Sequence, residues 1–193
     1  MRRDNTLRPS AIGALCQARI QPRIASLWAV PDFDDLLAAN AGYARDFALK
    51  GAAPYAVRGV AILTCMDARL EPLAMFGLST GDAKVLRNPG GHLDEGALNG
   101  LILAVQLLRV NRICVVEHTR CAMAGGDDQA VFAKIAAATG DDASWCTFGA
   151  DPDQPARVSA DVAKLRAHPL VGPRATIGGF LYDVDDGRLS QLA

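Results

Sequence analysis

Two short strings, Cys65-Met66-Asp67-Ala68-Arg69 and the later His118-Thr119-Arg120-Cys121, concentrate the chain's metal-ligating and charged side chains at close spacing. Together they offer two thiolates and one imidazole. Three such ligands leave one corner of a zinc tetrahedron open to water, whereas a structural zinc would take a fourth protein ligand. Zinc lowers the pKa of a bound water toward about 7, so hydroxide becomes available as a nucleophile near neutral pH. His118 and Cys121 are close enough in sequence to reach one ion from a single turn, with Zn–S near about 2.3 Å and Zn–N near about 2.0 Å. Asp67 lies two residues from a ligand. Its carboxylate could accept a hydrogen bond from the hydroxide, or swing in as a fourth ligand and shut the site. Arg69 decides between these outcomes, because a guanidinium can hold a carboxylate in a bidentate fork.

These groups can meet only if the elements carrying them converge. Val60 to Thr64 is a short run of strand formers ending at Cys65, and Lys84 to Arg87 reads as a second strand. Ile113 to Val116 is a third, delivering His118, and a fourth begins at Ala175 and runs through Phe180-Leu181-Tyr182. Asp185-Asp186-Gly187 is a hairpin signal, so Arg188 to Leu192 should return antiparallel. Helical spacing marks Phe33, Leu36, Leu37, Tyr43 and Phe47 behind an N-cap at Asp32, and a short Pro72-containing helix up to Gly77. Further helices are expected over Leu98–Leu108, Val131–Ala138 and Val158–Ala167, the last ended by His168-Pro169. The alternation predicts a single α/β domain with a mostly parallel central sheet flanked by helices. The expected order is 2-1-3-4 with an antiparallel C-terminal edge strand. Ligands bind such sheets at the carboxyl ends of strands where the order reverses, which would make Cys65 and His118 neighbours.

Composition narrows the function classes. The chain has 193 residues, 50% hydrophobic and 21% charged, which suits one soluble domain of residues 32–193. A net charge of −1 gives no case for nucleic acid, and no apolar run is long enough to predict a membrane span. Five cysteines, an odd number with no signal-peptide pattern, predict a reducing, cytoplasmic setting. Residues 1–31 read as an N-terminal extension, an arm or disordered. Their arginines (Arg2, Arg3, Arg8, Arg19, Arg23) suit a transit peptide, but Pro9, Pro22 and Pro31 interrupt any long amphipathic helix. Cys16, Cys114 and Cys146 lack partners at metal-ligand spacing and are expected to be packing thiols. His92 is either a proton shuttle or an exposed loop histidine, and Asp127-Asp128 reads as helix N-terminal charge.

The strings CxDxR and HxxC, each following a strand, closely resemble the β-class carbonic anhydrases. So does Arg87-Asn88-Pro89-Gly90-Gly91 as the loop after the second strand, and the compact build is most similar to the short bacterial form. The resemblance spans roughly residues 33 to 192. It implies reversible hydration of CO2 to bicarbonate and a proton, with one Zn2+ per subunit on Cys65, His118 and Cys121. Asp67 and Arg69 would be the catalytic dyad. Asn88, Gly90 and Gly91 would form the loop beside the substrate, the glycines letting backbone pass close to the metal-bound water. A homodimer or dimer of dimers is also implied. Three positions depart from the family pattern: Ala122 where glycine is usual, Arg120 where Asp is common, and Pro89 in the glycine loop. If position 122 needs a positive φ, alanine there would be strained. Two other functions are compatible with the same residues: hydrolysis of CS2 or COS, and a catalytically silent zinc-binding regulatory protein with its fourth position closed.

Overall fold

The apolar run beginning at Val60 forms β1 (Val60–Cys65) in a computed structural model that describes residues 32–193, and the whole strand is buried. A strand is buried on both faces when it sits inside a parallel sheet covered by other elements on each side. Alternate residues therefore enter different cores. Ala61 and Leu63 pack with Leu101, Ala104 and Val105 of α2 (Glu95–Leu107) and with Val158, Val162 and Leu165 of α4 (Gln154–Ala167). Val60 and Ile62 point the other way, into a cluster with Leu73, Phe76 and Phe180. Each such Leu or Ile, fully buried, contributes roughly 1.5–3 kcal/mol. Thr64 is the polar exception, and its hydroxyl is satisfied by donating to Val116 O at 2.9 Å.

The sheet contains β2 (Ala83–Asn88), β1, β3 (Arg112–His118), β4 (Thr176–Tyr182) and β5 (Leu189–Gln191), in the order β2-β1-β3-β4-β5. The first four strands are parallel and β5 runs antiparallel to β4, matching the predicted topology. The order reverses between β1 and β3, where Thr64 lies opposite Val116. Cys65 and His118 are the last residues of their strands, one step inside the expected positions.

Helices begin earlier than apolar spacing predicts. α2 starts at Glu95, α3 (Asp128–Thr139) at Asp128 and α4 at Gln154, because aspartates cap polar first turns that carry no periodic signal. Asp94, Asp127 and Asp153 accept from Ala97 N at 2.6 Å, Ala130 N at 3.1 Å and Ala156 N at 3.1 Å. The Pro72 segment makes only a three-residue 3-10 turn, Ala74–Phe76, stopped by Gly77 at φ 63°. The chain divides into two units between Lys50 and Gly51, and the sheet belongs wholly to the second. The described part of the first holds α1 (Asp34–Arg45), whose N-cap is Phe33. Asp32, expected to be the cap, instead accepts from Asp34 N at 3.3 Å. The predicted N-terminal extension, with Cys16, lies outside the described residues. No described helix is long and apolar enough to cross a membrane.

Candidate active site

At the reversal point the ligand atoms of Cys65, His118 and Cys121 all lie within 4.8 Å of one another, and all three residues are buried. β1 carries the first, β3 the second, and the turn after β3 the third. The two sulfurs are 3.9 Å apart. His118 Nδ1 donates to Thr119 O at 2.9 Å, which fixes the tautomer and leaves Nε2 with a free lone pair. That Nε2 is buried and has no hydrogen-bond partner. A buried imidazole nitrogen left orphaned beside two sulfurs is what a soft-to-borderline metal ion would satisfy, so the donor set fits zinc.

The electrostatics favour the same group. The Cys65 thiol is brought down to about 4, first by its hydrogen bond with Cys121 and then, against the cost of burial, by His118 and by backbone N–H groups of Asp67 and Gly90. The same contact pushes Cys121 up, so the metal-free pair holds one shared proton. Burial opposes charge on His118, yet contact with the Cys65 sulfur raises it on balance. A cation held among the three would displace these protons.

Arg69 grips the Asp67 carboxylate. Arg69 Nε donates to Oδ1 at 2.9 Å and Nη2 to Oδ2 at 2.8 Å, while the backbone N of Arg69 adds a bond to Oδ1 at 2.9 Å. The fork leaves Oδ2 3.8 Å from the orphaned Nε2 of His118. Arg69 Nη2 also reaches Arg120 O at 3.3 Å, tying the two strings together. A second guanidinium, expected only as part of the loop after β2, braces the site as well. Arg87 donates Nε to Cys65 O at 2.9 Å and Nη2 to Asp67 O at 2.6 Å, bracing the backbone on both sides of Met66. An arginine at the end of the strand beside β1 was the available signal.

The glycine loop closes over the sulfur. Gly90 N donates to Cys65 Sγ at 3.3 Å. Gly91 has φ 77°, and a β-carbon there would sit 2.7 Å from Cys65 N, 2.8 Å from Thr64 C and 2.9 Å from Val116 O. All three are backbone atoms at the strand reversal and cannot give way cheaply. Gly91→Ala should therefore cost about 3–5 kcal/mol, combining left-handed strain with overpacking. The loss would be read as a lowered urea midpoint of the metal-free protein. Asn88 faces the loop: its Nδ2 donates to His92 O at 2.8 Å and Asp94 Oδ2 at 2.9 Å, so it braces the loop against the α2 cap.

Strain falls on a different residue from the one the family pattern suggests. Among the described residues only Arg109 and Arg120 combine a side chain with positive φ, Arg120 at 55°. Ala122 instead begins a 3-10 turn without such a torsion. Arg120 is paired with Asp185 in the hairpin after β4. His92 packs into its own surroundings, with Nδ1 3.0 Å from Pro89 O and the Nε2 side against Gly149. The Asp128 carboxylate accepts from Phe148 N at 3.0 Å and Ala150 N at 2.8 Å, a structural use beyond helix charge. Burial pushes the Cys114 thiol up to about 11, consistent with a packing role.

Known proteins are similar to this chain in sequence and fold. A family model described as carbonic anhydrase matches residues 60–144. The chain is 32% identical to Beta-carbonic anhydrase 1 of Mycobacterium tuberculosis, over 82% of this chain and 96% of that one. It is 29% identical to a carbon disulfide hydrolase of Saccharolobus solfataricus, over 66% of this chain and 74% of that one. The solved structure of carbonic anhydrase from Streptococcus mutans superposes with a TM-score of 0.73 at 32% identity, covering 85% of this chain and 99% of the other. With 32% identity to the Mycobacterium tuberculosis protein over 96% of its length, and a matching solved fold, the chain belongs to the β-carbonic anhydrase family.

Proposed function

We propose that the protein catalyses the reversible hydration of CO2 to bicarbonate and a proton, with one zinc ion per chain held by Cys65, His118 and Cys121. The observation that carries this reading is the orphaned Nε2 of His118 among two sulfurs, beside a carboxylate held in an arginine fork. Bound there, zinc supplies a Lewis acid that lets water ionise near neutral pH. The chain's own residues do the rest. Asp67 Oδ2 accepts a hydrogen bond from the attacking oxygen and turns its free lone pair toward CO2. Arg69 keeps that carboxylate from moving onto the ligands, which is the difference between an active and a silent site. Arg87 and Gly90 hold Cys65 from its carbonyl and its sulfur. Stopped-flow CO2 hydration across pH, with zinc measured on the same sample, tests the proposal. Zinc-loaded protein without hydration activity would sink it.

The carbon disulfide hydrolase among the relatives keeps a second substrate in view, because water attacks the carbon of CS2 by the same route. Substrate choice then lies in access rather than in the ligands. Parallel assays should give CO2 turnover with CS2 turnover at least about a hundredfold lower, a difference of some 3 kcal/mol in barrier. Comparable or faster CS2 release of sulfide would reverse the assignment. The reading also carries a homodimer, or a pair of dimers, as the working assembly. Leu103 and Leu107 of α2 are 53% and 71% exposed, apolar surface suited to a second copy. Sedimentation of a monomer at micromolar concentration would remove that part.

A further inference from the structure

Glu117 immediately precedes His118 and is a fully buried carboxylate at 0% exposure. Its partner is Arg157, from the first turn of α4, which is 9% exposed. Arg157 Nε donates to Oε1 at 2.6 Å and Nη2 to Oε2 at 3.0 Å, while Nη1 donates to Gly149 O at 2.7 Å. Gln154, on the same turn, donates Nε2 to the backbone oxygen of His118 at 3.0 Å. Arg157 also lies against the glycine loop, since a β-carbon on Gly90 would come 3.3 Å from its Nη2. Gly90 N is the donor to the Cys65 sulfur.

A buried ion pair is costly to desolvate, and well-packed apolar residues often serve stability equally well. Stability alone therefore gives a weak account of this one. Arg157 meets the residue before His118 and lies against the loop that touches Cys65, with its remaining bond to Gly149 O, and Gln154 on the same turn holds the His118 carbonyl. We propose that Arg157 and Gln154 are positioning residues for the metal centre, holding the His118 strand end and the glycine loop so that the ligands are preset for the ion. This rests on the zinc reading above and adds that α4 helps set metal affinity. Outer residues that orient ligands typically change metal affinity about 10- to 100-fold when lost.

The test uses the full chain, with zinc affinity read by competition against a chromophoric chelator well below the melting temperature. Cobalt substitution supplies a spectrum of the ligand geometry. Arg157→Met should weaken zinc binding by about tenfold or more and alter the cobalt d–d bands. Arg157→Lys, which keeps the charge without the fork, should fall between it and wild type. Gln154→Ala deletes a single bond and should weaken binding by about threefold, below the usual span because only one of the clamp's bonds is lost. Should Arg157→Met fail to fold, the other two variants decide. Wild-type zinc affinity and cobalt spectrum in Gln154→Ala and Arg157→Lys, with only the melting temperature lowered, would overturn the proposal. The two readings fail separately: zinc-loaded wild type without CO2 hydration removes the function, whereas unchanged metal affinity in the variants removes the clamp.

Discussion

Cys65→Ser should fold, lose its zinc and lose CO2 hydration by on the order of a thousandfold or more, since the metal supplies the ionised water. Serine nearly matches cysteine in volume, so the buried strand end keeps its packing and the circular dichroism spectrum should be unchanged. What changes is the charge. The two sulfurs, 3.9 Å apart, share one proton in the metal-free cluster, and a serine hydroxyl in place of Cys65 supplies no thiolate for the ion. The shifts also give zinc uptake a sign in pH. Binding requires the remaining proton to leave Cys121, which Cys65 pushes up, and His118 to be neutral, although its contact with Cys65 raises it. Both requirements are met more easily as pH rises, so wild-type zinc affinity should increase with pH and protons should be released on binding. Chelator competition at several pH values checks this. An affinity indifferent to pH, or a Cys65→Ser protein with full zinc and full activity, would place the metal elsewhere.

The Cys-His-Cys cluster was legible because each of its two parts is local: a short string after a strand, with residue types that have few other uses together. The strand's interior place was legible because Val60 to Leu63 is apolar on both faces, as a strand covered on each side needs. Element ends were not. β3 continues through Glu117 to His118, although a carboxylate should break an apolar run, because Arg157 on α4 meets it with two hydrogen bonds. That partner lies far along the chain, and no local pattern announces it. Helix starts were missed for a related reason, since capped first turns are polar and show no period. Ala122 and Arg120 show a third limit. A family pattern can say where a substitution is unusual, but the left-handed torsion sits at Arg120, and only the turn geometry between His118 and Cys121 decides that.

Asp67→Asn should keep zinc and lose CO2 hydration by about a hundredfold in kcat, with little change in KM. The substitution preserves shape and alters hydrogen bonding. As a carboxylate, Asp67 is acceptor-only, and it takes three N–H bonds from Arg69 while leaving lone pairs for the attacking oxygen. As an amide it must turn an NH2 group either into the guanidinium, loosening the fork, or toward the site, where it donates instead of accepting. The pH profile separates this role from a titrating base. Arg69 beside it holds the Asp67 carboxyl well below the usual carboxylate range. A depressed acid loses its charge only as pH falls through that low value, so Asp67 stays ionised wherever the protein works. The acid limb of the wild-type profile then belongs to ionisation of the attacking water. Asp67→Asn should keep that midpoint and lower only the plateau. Arg69→Met should do the reverse. A carboxylate freed from its fork, with Oδ2 already 3.8 Å from Nε2 of His118, can move onto the metal and compete with water, so activity should appear only at higher pH. A shifted midpoint in Asp67→Asn, or an unshifted one in Arg69→Met, would mean that Asp67 neither orients the nucleophile nor gates the site. The fork would then be only a partly exposed ion pair, worth little to either chemistry or stability.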